Sequence, residues 1–270
     1  MALRDITLGQ YFPGNTVVHR LDPRTKLLLT VIYIVALFLC QHLLSYGVML
    51  VTLIACILAS KVGFKSILRG MKPVLVVVLI TAVLNLLYTS GEGEPLVSFW
   101  IVRIYSEGLW AAGFMVLRIA MLITGTFLLT YTTSPILLTD GLEMLLSPLK
   151  KLHAPIHELA MMMSIALRFI PTLIEETDKI MSAQKARGAD FESGSLLRRA
   201  RALVPLLVPL FISAFRRADE LAVAMECRCY HGGEGRTRMR QLRYAPRDFI
   251  ALTGGVVIAV GVGVLGHFGL

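Results

Sequence analysis

Asp178-Lys-Ile-Met-Ser-Ala183-Gln-Lys-Ala186-Arg187-Gly188 and Asp219-Glu-Leu-Ala-Val-Ala224-Met-Glu-Cys227-Arg228-Cys229 are the two stretches that decide how this chain is read. Asp, an aliphatic residue, Ala, a small residue and Arg fall at the same offsets in both, a short internal repeat. Each closes one of two long helices expected between Pro155 and His231, and each helix runs from an apolar half into a charged half. An arginine between residues of little bulk can enter a groove and meet carboxylates or carbonyls with its planar fork of donors. The competing reading is plain helix termination, with a cation complementing the macrodipole and Gly188 and Gly232 serving as left-handed stops. The matched spacing, on helices too apolar for ordinary surface helices, favours docking into two similar sockets.

Working outward, the 270 residues are 56% hydrophobic and their mean hydropathy is +0.70. Soluble domains carry roughly 45–50% apolar residues even with glycine counted. The chain is therefore expected to be an all-α, polytopic membrane protein. Its formal charge of +9 then reads as cytoplasmic loops and contacts with anionic headgroups, not as a nucleic-acid footprint. Cys40 and Cys56 lie in apolar runs and Cys227 and Cys229 flank an arginine, so no disulfide framework is expected. Met1 to Lys26 has no apolar segment of the kind a cleaved signal carries, which makes the run from Leu27 a retained anchor.

Five spans follow from the hydropathy pattern: about 26–42, 43–60, 73–89, 107–131 and a last one within 246–270. The first three charge clusters set the orientation. His19-Arg20-Leu21-Asp22-Pro23-Arg24-Thr25-Lys26 places a capping Asp before Pro at the first helical position, and its basic residues are expected at the cytoplasmic headgroups. Lys61, Lys65, Arg69 and Lys72 mark a cytoplasmic loop. Glu92, Glu94 and Glu107 against Arg103 mark an external one. Residues 1–133 thus form an N-terminal membrane domain of four spans, and the fifth span, within 246–270, takes a chain with a cytoplasmic N-terminus to an extracytoplasmic C-terminus.

Residues 134–245 carry 16 basic and 12 acidic side chains and read as a cytoplasmic body that is mostly not lipid-exposed, the domain that the resemblance below makes a coupling-helix domain. It opens with a short helix from Ser134-Pro135 to Leu152 and continues into the two long crossing helices, hinged at Gly188 to Ser195. Pro171, Pro205 and Pro209 are expected to kink or interrupt them. Arg236-Thr-Arg238-Met-Arg240-Gln-Leu-Arg243 reads as a headgroup-binding linker. In the last span Gly255, Ala259 and Gly263 share a face, which permits close helix approach either within the chain or to a partner. Arg118 and Asn85, at membrane depth, must face protein or water. One reading has Arg118 line a substrate path; the favoured one pairs it with a backbone carbonyl or polar residue inside the bundle or lets it snorkel to the interface.

Several chemistries lack their residues. There is no Gly-x-x-x-x-Gly-Lys-Ser/Thr phosphate loop, no His-Glu-x-x-His and no Gly-x-Ser-x-Gly. Met161-Met162-Met163 has no His or Cys at ligand spacing, and Cys227, Cys229 and His231 cannot all face one ion at a helix end. No catalytic and no metal-binding residues are therefore expected.

His19-Arg20-Leu21-Asp22-Pro23-Arg24-Thr25-Lys26, Arg168-Phe-Ile-Pro171, Ala186-Arg187-Gly188 and Cys227-Arg228-Cys229 together resemble the transmembrane T component of energy-coupling factor (ECF) transporters, over essentially the whole chain. The resemblance implies that Arg187 and Arg228 are anchors docking into grooves of two homologous ABC-type ATPase subunits, with Ala186, Gly188, Cys227 and Cys229 as small collars. It further implies that ATP and Mg are held by those partners, that this chain binds no cofactor and is not an enzyme, and that its helices cradle a membrane-embedded, substrate-binding S component. The activity so implied is coupling of ATP hydrolysis to micronutrient uptake in the cell membrane. The lack of a metal constellation favours vitamins over the alternative, a dedicated cobalt or nickel subunit. A conventional permease would need more polar residues in the spans than Arg118 and Asn85. Where the family often has Ala and Gly, the second motif has two cysteines, which bears on groove fit and redox sensitivity.

Overall fold

The computed structural model describes residues 11–88, 97–99, 102–152, 155–189, 191, 195–232 and 241–267. Among these residues eight α-helices carry the fold: α1 (Pro23–Leu39), α2 (Leu43–Ser60), α3 (Phe64–Tyr88), α4 (Ser106–Thr132), α5 (Pro135–Leu146), α6 (Ile156–Ala186), α7 (Leu196–Glu226) and α8 (Pro246–His267). A two-stranded antiparallel ribbon, β1 (Val97–Phe99) and β2 (Val102–Ile104), lies between α3 and α4. The expected all-α class holds, and this small ribbon was not foreseen. Most of the expected external loop, the centre of the hinge after Gly188 and the basic run Arg236 to Arg240 lie outside the described residues.

The chain divides into two units, one of residues 11–141 and 242–267, the other of 142–241. In the first, α1 packs against α8 and α4, and α3 packs along α4. Its core gathers Ala36, Leu37 and Cys40 from the end of α1, Tyr46, Met49 and Leu53 from α2, Met121 from α4 and Val262 from α8. Between spans in lipid the hydrophobic effect offers little, so close packing and hydrogen bonds decide association. The small-residue stripe of α8 is used in this way within the chain. A Cβ at Gly255 would collide with Leu29, Ala259 packs on the core, and Gly263 faces Leu39. Arg118 of α4 donates from Nε to the Tyr46 hydroxyl (2.8 Å) and from Nη2 to the Cys40 carbonyl (2.9 Å), meeting one orphan carbonyl at the end of α1. Asn85 donates to the Thr81 carbonyl and contacts Met115 Sδ.

Among the described residues, five helices are long and apolar enough to cross a membrane: α2, α3, α4, α6 and α8. The number matches expectation, but α6 stands where α1 was expected. α1 has only 17 residues, and its first turn is spent on polar contacts. Asp22 caps it, accepting from the Arg24 amide at 2.9 Å, with Pro23 at the first helical position as expected. The flanking cations behave differently from the headgroup anchors anticipated. Arg24 pairs with Asp22, and Lys26 donates to the carbonyls of His19 (3.2 Å) and Thr132 (2.8 Å), so both turn inward. Asp248, at the start of α8, is 1% exposed and accepts the amides of Asp22 and Ala245, each at 2.8 Å. Asp22 and His19 are near neighbours in sequence, but Thr132 and Asp248 are brought to this end only by the fold, and local charge counting cannot see them.

Two further boundaries differ from expectation. α3 begins at Phe64, nine residues before Pro73, so Lys65, Arg69 and Lys72 ride on its first turns and do not form a loop. Pro73 stands inside it. Likewise α6 and α7 each run unbroken for 31 residues past Pro171, Pro205 and Pro209. A proline removes one backbone hydrogen bond, and long helices with an apolar face to pack can absorb that loss.

Candidate functional site

In the unit of residues 142–241, α6 and α7 form an antiparallel pair. Arg217 Nη2 donates to Glu176 Oε2 at 3.0 Å near the middle, and the Tyr230 hydroxyl meets Met161 Sδ at 3.1 Å near one end. From Glu176 to Arg187, and from Arg217 to Arg228, the chain advances eleven residues in opposite directions. At 1.5 Å per residue each advance is about 16 Å, so the two arginines lie about 30 Å apart along the pair, one at each end.

Both ends are built alike. At α6, the Gly188 amide returns to the Lys185 carbonyl and the Ala189 amide to the Gln184 carbonyl, each at 3.0 Å. At α7, the Cys229 amide returns to Glu226 (2.8 Å) and the Tyr230 amide to Met225 (3.1 Å). These are the two reciprocal bonds of a Schellman cap, and they place Arg187 and Arg228 at the same capping position. The residue after each arginine is left-handed: Gly188 at φ +87° and Cys229 at φ +55°. The competing reading's second stop, at Gly232, is therefore corrected. Gly232 does have φ +101°, but the helix has already turned three residues earlier, at Cys229. The offset shared with Gly188 was the signal available for this, masked because cysteine rarely takes that conformation.

Ala186, Arg187, Gly188, Cys227, Arg228 and Cys229 are all exposed, and both cysteines are free thiols. Neither guanidinium has a hydrogen bond or ion pair among the described residues. The left-handed turn ends each helix at its arginine, so the fork projects from a narrow, blunt tip. The tips are two separate sites, not one. The contacts that hold the pair in register, Glu176 with Arg217 and Met161 with Tyr230, were not singled out from sequence, since each partner lies 41 or more residues from the other.

α7 also leaves an apolar face uncovered. Val204, Leu207, Val208, Phe211, Ile212 and Phe215 are 49–68% exposed, and their spacing of three and four residues keeps them on one side.

Helices of membrane-spanning length in this number make the protein a multi-pass α-helical membrane protein. Residues 14–239 match the family model CbiQ, cobalt transport protein. Three similar proteins, from Clostridium kluyveri, Thermosediminibacter oceani and Bacillus subtilis, are each named energy-coupling factor transporter transmembrane protein EcfT. They are 59, 56 and 50% identical over 92, 96 and 93% of this chain and 92, 97 and 95% of their own length. The chain belongs to this family, the transmembrane components of ECF transporters.

Proposed function

We propose that the chain couples ATP hydrolysis by two ABC-type ATPase subunits to substrate uptake, with Arg187 and Arg228 each seated in one ATPase subunit. The carrying observation is the pair of equivalent caps: one backbone motif, used twice, presents one exposed arginine at each end of an antiparallel pair. Two like tips about 30 Å apart suit two like sockets on two related subunits. Plain dipole complementation requires neither the equivalence nor the exposure. ATP and Mg belong to those partners, and this chain makes no bonds of its own. The uncovered apolar face of α7 supports a second contact, with a membrane-embedded S component that selects the substrate. With α1, α2, α3, α4 and α8 as the five spans and α6 a coupling helix, the coupling helices and N-terminus face the cytoplasm and the C-terminus the outside.

The substrates are micronutrients, with vitamins the first reading. A dedicated cobalt or nickel role is the second, favoured by the description of the matching family model as cobalt transport. Uptake of labelled riboflavin and thiamine against Co²⁺ and Ni²⁺ by the reconstituted complex separates the two.

Docking is tested by affinity purification in mild detergent. Arg187→Glu and Arg228→Glu singly are expected to weaken retention of the ATPase subunits, and together to abolish both retention and ATP-driven uptake. Each reversal removes a charge-assisted anchor worth about 2–5 kcal/mol at a buried interface. ATP-driven uptake at the wild-type rate in the double variant overturns the assignment.

A further inference from the structure

We propose that Arg24 is the positioning residue through which movement of the α6–α7 pair reaches the membrane-spanning bundle. The inference rests on the coupling role argued above and adds where the stroke enters the bundle.

The chain leaves the bundle unit twice, within α5 between Gly141 and Leu142 and again between Gln241 and Leu242. Both exits lie against one dipeptide, Pro23-Arg24. At the first, a Cβ added to Gly141 would stand 3.1 Å from Pro23 Cβ, 3.4 Å from the Pro23 carbonyl carbon and 3.5 Å from the Arg24 amide nitrogen. Those are ring and backbone atoms, which cannot swing aside as the end of a flexible side chain can. At the second, Arg24 Nη2 donates to the Leu242 carbonyl at 3.2 Å, and the guanidinium lies 3.9 Å over the Tyr244 ring.

Arg24 is itself fixed. Its Nε and Nη2 donate to the two Asp22 oxygens at 3.0 and 2.9 Å, a bidentate pair whose arginine side chain is 13% exposed. Asp22 caps α1 and gives its amide to Asp248 at the head of α8. One planar fork therefore joins the start of α1, the segment at Leu242–Tyr244 and, through Asp22 and Asp248, the start of α8. In this proposal a displacement at either exit, α5 at Gly141 or the segment at Leu242, is passed to α1. Lysine, a point charge without the fork, cannot hold both carboxylate oxygens and stack on the ring together.

The test uses the full complex with its ATPase and S subunits, reconstituted in liposomes. ATP hydrolysis is recorded beside uptake of whichever probe the wild type accumulates among labelled riboflavin, thiamine and Co²⁺. Arg24→Gln and Gly141→Val, which touch different exits, are expected to keep the ATPase subunits bound and hydrolysis within about twofold of wild type. Accumulation per ATP is expected to fall at least about fivefold. Arg24→Lys restores part of the ratio, and Tyr244→Leu lowers it about twofold. A merely structural role would reduce the amount of assembled complex and leave accumulation per ATP unchanged, and that result overturns the proposal. Should Arg24→Gln fail to assemble, a wild-type ratio in both Gly141→Val and Tyr244→Leu overturns it instead. Failure of the docking role is seen separately, as a wild-type chain that retains no ATPase subunits.

Discussion

Cys229 carries a backbone cost that Gly188 does not. Both follow a helix-capping arginine and lie in the left-handed region, but a side chain there costs roughly 1 kcal/mol relative to glycine. Nothing lies within 4 Å of a Cβ added to Gly188, so substitution there isolates the backbone effect from packing. Cys229→Gly is expected to raise the melting temperature of the detergent-purified protein and Gly188→Ala to lower it, each by the equivalent of about 1 kcal/mol. Unchanged melting in both would show that the two caps fray freely. Asp22 gives a pH-dependent counterpart. Burial works to raise its carboxyl, but hydrogen bonds from the Arg24 side chain and amide outweigh it and hold the group below its ordinary 3.8. A depressed carboxylate contributes stability that is present above the ordinary value and lost as pH falls through the lower, folded one. Its contribution to melting is therefore expected to be flat from pH 7 to about 5 and to fall away only below about 4. Asp22→Asn should cost about 2 kcal/mol at pH 7, through the lost cap and charged pair, and flatten the acid limb.

At the scale of elements, the pattern of spans and helix ends was legible because it is local. The break between α1 and α2, the Ser134-Pro135 start of α5 and both arginine tips follow from runs, caps and offsets within a few residues. The uninterrupted passage of α6 and α7 through their prolines was not legible, because it depends on how much the whole helix gains by packing. Arg118 joins three elements, holding α4 to the Tyr46 hydroxyl of α2 and to the last carbonyl of the α1 turn. Its need for an internal partner was readable from its depth, but the identity of the partner was not. Arg118→Leu is expected to destabilise the protein by about 2–3 kcal/mol and Tyr46→Phe by about 1 kcal/mol, as read by thermal unfolding in detergent. Equal losses in the two would assign the stabilisation to the tyrosine and not to the carbonyl contact.

For the whole molecule, the four cysteines report on assembly. Cys227 and Cys229 sit on an exposed tip, Cys40 is buried, and Cys56 is exposed on a helix of membrane-spanning length. A membrane-impermeant maleimide is expected to label Cys227 and Cys229 in the isolated protein, to spare Cys40, and to react poorly with Cys56 in lipid. Bound ATPase subunits should slow labelling at 227 and 229 by at least about fivefold, measured by mass shift, since a seated arginine covers its neighbours. Unaltered labelling in a complex that retains both ATPase subunits would place the Arg228 tip outside the interface.

By itself the sequence determined an all-α chain of membrane-spanning helices, and two arginine ends in matched register, because hydropathy runs, capping residues and repeated offsets act within one helix. Only the tertiary structure decided that Arg24 and Lys26 turn inward, that the α8 small-residue stripe is used against α1, and that the arginine tips lie at opposite ends of an antiparallel pair. Beyond the local contacts to Asp22 and His19, these depend on partners a hundred or more residues distant, such as Leu242 for Arg24 and Thr132 for Lys26, or on helix direction, and no local propensity encodes either.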